Sequence, residues 1–198
     1  LAFYADELWW APCFSEEPHL LEEATRLGAG EEMCFVRAAL GAMVTLDYFP
    51  APDLCIAAAG AVCDDFSAVM QLIEAQGHPV HWWEMPQLPP GDRGAYQRFV
   101  RSQLQGVVGA LEELTGREAT PEMLRRGVDM FSRLRARTAR LRELVYTARR
   151  PPLPGLEAYL AEFLAIHACS EPAEVFAVLD DLIGLAESRL EKGLSPLE

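Results

Sequence analysis

The sequence has 198 residues, 51% of them apolar and 24% charged, with a formal net charge of −13. A disordered chain would be poorer in apolar residues, and the acidic balance argues against nucleic acid as a partner, since phosphate binding needs a basic footprint. No apolar run reaches the roughly 18–20 residues of a membrane span, and the first residues show no basic segment followed by an apolar one, so neither a membrane anchor nor a secretory leader is expected and the expected location is cytoplasmic.

Taken in chain order, residues 16–28 set Leu20, Leu21, Ala24 and Leu27 at helical spacing and stop at Gly28. Residues 31–46 read as a second helix, broken by Pro50-Ala51-Pro52. The apolar run 53–59 reads as a buried parallel strand, with Cys55 in its core. A helix over 64–76 follows, ended by Gly77, and then a second strand over 79–83 that Pro86, Pro89 and Pro90 close. Strand, helix and strand with short connections form a βαβ unit.

From residue 92 the pattern turns helical. One helix runs over 92–114 towards Gly116. Thr120-Pro121-Glu122 starts the next, with Thr as cap and Pro at the first helical position. Its apolar stripe is Leu124, Val128, Phe131, Leu134, Leu141 and Val145. Pro151, Pro152 and Pro154 end it, and helices over 156–167 and 172–192 complete the chain. The expected fold is α/β: a small, mostly parallel, Rossmann-like sheet in a domain over residues 1–90, then a bundle-like helical region over 91–198.

Charge is unevenly spread. Residues 117–150 hold ten Arg and four acidic residues. Arg126, Arg133, Arg137 and Arg140 share one helix face at spacings of seven, four and three. They read as a solvated face paired with acidic neighbours; the sharper alternative is a docking site for an acidic surface or coenzyme A phosphates.

Five cysteines occur, Cys13, Cys34, Cys55, Cys63 and Cys169, with no CxxC pair, so a zinc ribbon or thioredoxin site is not supported. Cys63 falls just past the carboxyl end of the first predicted strand, where open α/β sheets place ligands. The start of the next helix favours an anion such as the thiolate a metal requires. A free cysteine is otherwise a small buried hydrophobe. His78 and His81 have no evident third ligand, and of Trp9-Trp10 and Trp82-Trp83 one member of each pair is expected in the core. No P-loop, dinucleotide fingerprint or GxSxG element is present.

An ordered set of segments resembles the 2-hydroxyacyl-CoA dehydratase / benzoyl-CoA reductase family, in its D-type iron–sulfur subunit. The segments are Cys34-Phe35-Val36-Arg37, Pro50-Ala51-Pro52-Asp53-Leu54, Cys63-Asp64, Pro79-Val80-His81, the helix from Tyr96 to Leu114-Thr115-Gly116, and Phe131-Ser132-Arg133-Leu134-Arg135. Phe35 stands where the family usually has Ser, and Ser132 where it has Asn. The resemblance implies a [4Fe–4S] cluster held by three cysteines, the first two matching Cys34 and Cys63. The third belongs to a second α/β domain, so the chain corresponds to the N-terminal part of such a subunit. Cys13 and Cys169 sit in no matching motif. Glu16 is a loose counterpart of the family's active-site Glu and reads equally as a first-turn acid.

The implied activity is radical chemistry on acyl-CoA thioesters, either dehydration or reduction. It is driven by low-potential electrons from a separate ATP-dependent iron–sulfur activator, with a homologous subunit completing a homo- or heterodimer. Some members carry a double-cubane cluster and reduce small molecules, and Cys63-Asp64 also resembles that branch. The alternative of a different kind is a truncated, cluster-free chain acting as a protein-interaction module.

Overall fold

The computed structural model describes residues 18–47, 50–60, 63–85, 92–166 and 171–196. Within these the chain forms α1 (His19–Arg26), a 3-10 turn (Phe35–Arg37), α2 (Ala38–Thr45), β1 (Cys55–Gly60), α3 (Asp64–Ala75), β2 (Val80–Met85), α4 (Arg93–Thr115), α5 (Pro121–Tyr146), α6 (Gly155–Ile166) and α7 (Pro172–Glu191). The content is mixed α/β and mostly helical. Three stops expected from glycine are left-handed turns: Gly28, Gly77 and Gly116 have φ of +100°, +93° and +65°, angles that cost glycine little. Thr120 starts α5 as expected, its hydroxyl accepting the Met123 N–H at 3.2 Å.

Contacts divide the chain into two compact units, residues 18–119 and 120–196 among those described. In the first, β1 and β2 pair in parallel, from Cys55 opposite Val80 to Gly60 opposite Met85, with α3 as the crossover. The core beneath them is built from Leu40, Ala57, Val69 and Ile73, each at 0–1% exposure. Helix α4 packs on β2, and the Gln103 side chain accepts the Glu84 N–H at 2.9 Å. That contact satisfies a backbone donor on the outer edge of the strand. It also places α4 with the strands, in the unit that ends at residue 119. Trp82 lies half-buried against the same core and donates its indole N–H to Glu74 at 3.2 Å.

Two expectations need correction. Residues 31–46 are not one helix: helical structure begins at Phe35 as a 3-10 turn and becomes α-helical only at Ala38. Cys34 is extended, with φ −54° and ψ 156°, because its N–H is taken by a side chain from α3 rather than by a helical carbonyl. The apolar stripe of α5 is also not continuous core. Leu134, Leu141 and Val145 are buried, whereas Leu124 and Val128 are exposed, because α6 and α7 cover only the later turns.

The second unit holds α5, α6 and α7 around Leu134, Leu141, Leu153 and Leu179. The arginine face of α5 is tied down within it. Arg137 makes a two-pronged pair with Asp180 at 2.8 and 3.0 Å, Arg140 bonds Glu187 and Glu143, each at 2.8 Å, and Arg133 and Arg137 both sit over the Phe176 ring. Three of the four cations therefore already have partners, which leaves the coenzyme A phosphate alternative little to stand on.

One pair sets an acid limit. The Arg142 guanidinium, bonded to Glu162 at 2.6 and 2.7 Å, holds that carboxyl below its ordinary 4.5. With the folded value lowered, the pair's contribution is full above the ordinary value and is lost as pH falls through the lower folded one. Because Arg142 is exposed, the contribution is at most about 1 kcal/mol. Glu162→Gln is expected to lower stability at pH 7 and to lower it less as pH falls below the ordinary carboxylate range, read by hydrogen exchange in residues 120–196 at pH 7 and at pH 3.

Candidate functional site

The site is built where β1 hands over to α3. Cys63 is the residue before α3, extended at φ −160° and ψ 120°. Its sulfur accepts the Phe66 N–H at 3.4 Å, and its carbonyl accepts the Ser67 N–H and hydroxyl, each at 3.1 Å. Cys63 is thus held as the cap of the helix, with its thiol at the positive end of the helix dipole.

Cys34 arrives from the other side of the sequence. It opens the 3-10 turn, its carbonyl accepting the Arg37 N–H at 3.1 Å. Its own N–H donates to Asp65 Oδ2 at 2.8 Å. Asp65 is in the first turn of α3, two residues beyond Cys63. Two cysteines 29 residues apart in sequence are therefore brought to the same helix end, and both thiols are exposed. Phe35 beside them is 51% exposed.

Cys55 differs in kind. It is in β1 at 8% exposure, and burial pushes its thiol up, which keeps it protonated and inert. The expectation of a core cysteine there holds.

Arg37 carries the frame behind Cys34. It is a charged side chain buried to 8% exposure. One terminal nitrogen reaches Thr25 Oγ1 at 2.6 Å and the Ala29 and Gly30 carbonyls at 3.2 Å each, fastening the 3-10 turn to the end of α1. Sequence reasoning placed Arg37 in a motif but saw no role for it, since its acceptors are backbone carbonyls that leave no mark in composition.

Glu16, Cys13, Cys169 and the Trp9-Trp10 pair lie outside the described residues. Among the described residues no group of three or more His, Cys, Asp and Glu side chains is placed to hold a metal ion, and this includes His78 and His81. No helix among them is long and apolar enough to cross a membrane.

A family model described as 2-hydroxyglutaryl-CoA dehydratase, D-component, matches residues 11–196. The chain belongs to that family. The match spans both compact units and includes Cys34, Cys63 and Asp65. Membership in the D-component family implies a component of a 2-hydroxyacyl-CoA dehydratase, and with it, in general terms, a partner component and an acyl-CoA substrate. A search of curated proteins finds no match for the chain.

The donor set bears on whether an iron–sulfur centre fits. Thiolates are the ligands such clusters take, and the two exposed thiols at the start of α3 are of that kind, with carboxylates Asp64 and Asp65 flanking rather than replacing them. They fit as two ligands of a larger set.

Proposed function

We propose that this chain is the iron–sulfur-bearing subunit, or its N-terminal portion, of a 2-hydroxyacyl-CoA dehydratase-like enzyme, with Cys34 and Cys63 as two of the cluster's thiolate ligands. The observation that carries the reading is the convergence of these two exposed thiols on one helix start, in a chain of the D-component family. The third thiolate, on the family pattern, comes from a second α/β domain. When bound, a [4Fe–4S] cluster supplies low-potential electrons to the thioester carbonyl of the acyl-CoA, received from an ATP-dependent iron–sulfur activator.

This chain's own part is to hold and orient. The cap at Cys63 and the extended backbone at Cys34 hold two exposed cysteines at one helix start, while Cys55 stays in the core. Glu16 is the candidate catalytic residue of the same reading. We also read β1, α3 and β2 as part of a larger Rossmann-like sheet, and the later helices as its bundle-like companion. The partner is a homologous subunit in a homo- or heterodimer.

The test is anaerobic iron and sulfide content with a visible spectrum on this chain joined to the α/β domain that supplies the third thiolate, as wild type, Cys34→Ala, Cys63→Ala and Cys55→Ala. Stoichiometric iron and sulfide are expected in wild type and in Cys55→Ala, and loss of both in the other two. The iron count also separates a single cubane from a double one. Absence of iron from reconstituted wild type would overturn the proposal and leave the cluster-free interaction module as the reading.

A further inference from the structure

We infer that Asp65 is the positioning residue of the cysteine pair: its carboxylate, carried on the first turn of α3, accepts the Cys34 N–H and fixes the Cys34 backbone beside Cys63. The inference rests on the reading that these two cysteines hold a cluster, and it assigns to a third residue the job of setting their separation.

The geometry gives Asp65 this job for three reasons. Cys34 and Cys63 lie on different elements, and α2 and β1 intervene, so local chain stiffness does not fix one relative to the other. The bond from Cys34 N–H to Asp65 Oδ2 is 2.8 Å, the length of a charge-assisted hydrogen bond, which is roughly twice as strong as a neutral one. Its acceptor stands two residues from Cys63, in the helical turn that Cys63 itself caps through the Phe66 N–H. A single side chain therefore ties the main chain of one thiol to the helical turn of the other.

The competing account is that Asp65 merely complements the helix dipole, as any first-turn acid does. Asp64 shares that position, since both acids lie in the first turn of α3. The two accounts separate on what each acid touches. A dipole role is shared by Asp64 and Asp65 and depends on charge. A positioning role belongs to Asp65 and depends on a hydrogen-bond acceptor, which asparagine retains.

The experiment uses this chain joined to the α/β domain that supplies the third thiolate, in four forms: wild type, Asp65→Ala, Asp65→Asn and Asp64→Ala. Two quantities are read. One is hydrogen exchange at the Cys34 amide without iron. The other is the rate at which a chelator removes iron after anaerobic reconstitution with ferrous iron and sulfide. In Asp65→Ala the Cys34 amide is expected to lose its protection and iron to leave about 10-fold faster or more, the usual scale when a ligand's supporting hydrogen bond is removed. Asp65→Asn, which keeps an acceptor without the charge, is expected to recover a large part of both relative to Asp65→Ala, and Asp64→Ala to leave both as in wild type. Wild-type protection and wild-type release in Asp65→Ala overturn the inference while the cluster reading stands. Equal effects of Asp64→Ala and Asp65→Ala overturn it in favour of the dipole. No iron in wild type overturns the cluster reading and this role with it, and the exchange data then report the Cys34–Asp65 bond alone.

Discussion

Gly41→Ala is expected to destabilise the unit of residues 18–119 by about 2–3 kcal/mol, the scale of an overpacked contact. Helix α2 meets α1 through small residues: Ala38 and Ala42 are fully buried against Leu20, and Gly41 lies between them. A Cβ on Gly41 would meet the Leu20 backbone, with its Cα at 2.8 Å and its carbonyl oxygen closer still. A flexible side chain can swing away from such a contact, but a helical backbone cannot, so α1 must move off α2. The usual benefit of alanine over glycine inside a helix runs the other way, by about 0.5–1 kcal/mol. Gly109 provides the control. It lies inside α4 of the same unit, and an added Cβ there meets nothing within 4 Å, so Gly109→Ala is expected to stabilise by that amount. Urea unfolding followed by hydrogen exchange in residues 18–119 reads both variants. If they shift stability in the same direction, the close approach of α1 and α2 is wrong.

That contrast shows what the sequence carries and what it does not. Glycine stops, the Thr120 cap and the apolar run of β1 are local signals. Each depends on a few neighbouring residues, and each is found where it is expected. The convergence at the start of α3 was half legible. Cys63 at a strand end follows from the βαβ pattern, and its pairing with Cys34 came from resemblance. The bond from the Cys34 N–H to Asp65 that links the two segments spans 31 positions in sequence, and no periodicity announces a contact of that range. The same holds for the 3-10 turn. Residues 31–46 have helical composition, but Cys34 is drawn out of the helix by an acceptor that belongs to another element. Gly41 was equally silent, because a glycine inside a helical pattern looks like a weak point until the opposing backbone is known. On α5 the error ran in the opposite direction. The stripe is genuine as a pattern, but burial requires a partner helix, and α6 and α7 reach only its later turns.

Arg37→Met should cost the same unit about 1–3 kcal/mol, and Arg37→Lys less. One guanidinium nitrogen serves three acceptors, Thr25 Oγ1 and the carbonyls of Ala29 and Gly30. Methionine fills a similar volume and donates nothing, so the buried Ala29 carbonyl is left unmet, while Thr25 and Gly30 are open enough to turn to water. An unmet buried polar group costs about 1–3 kcal/mol. Lysine offers three donors on one nitrogen, which suits three acceptors, although its shorter side chain falls about one bond short of them. It also removes the Arg37 Nε–H, which is buried without a partner, and that relief offsets part of the lost reach. The order of stability is therefore wild type, Arg37→Lys, then Arg37→Met. Because the Arg37 N–H bonds the Cys34 carbonyl, loosening this anchor also frees the segment that presents Cys34. On the proposed cluster, Arg37→Met is expected to release iron to a chelator faster than wild type at a temperature where both are folded, as shown by circular dichroism. A variant that lost stability but released iron at the wild-type rate would mean that the Asp65 bond alone holds Cys34 in place. Arg37 would then serve the junction of α1 with the 3-10 turn and nothing beyond it.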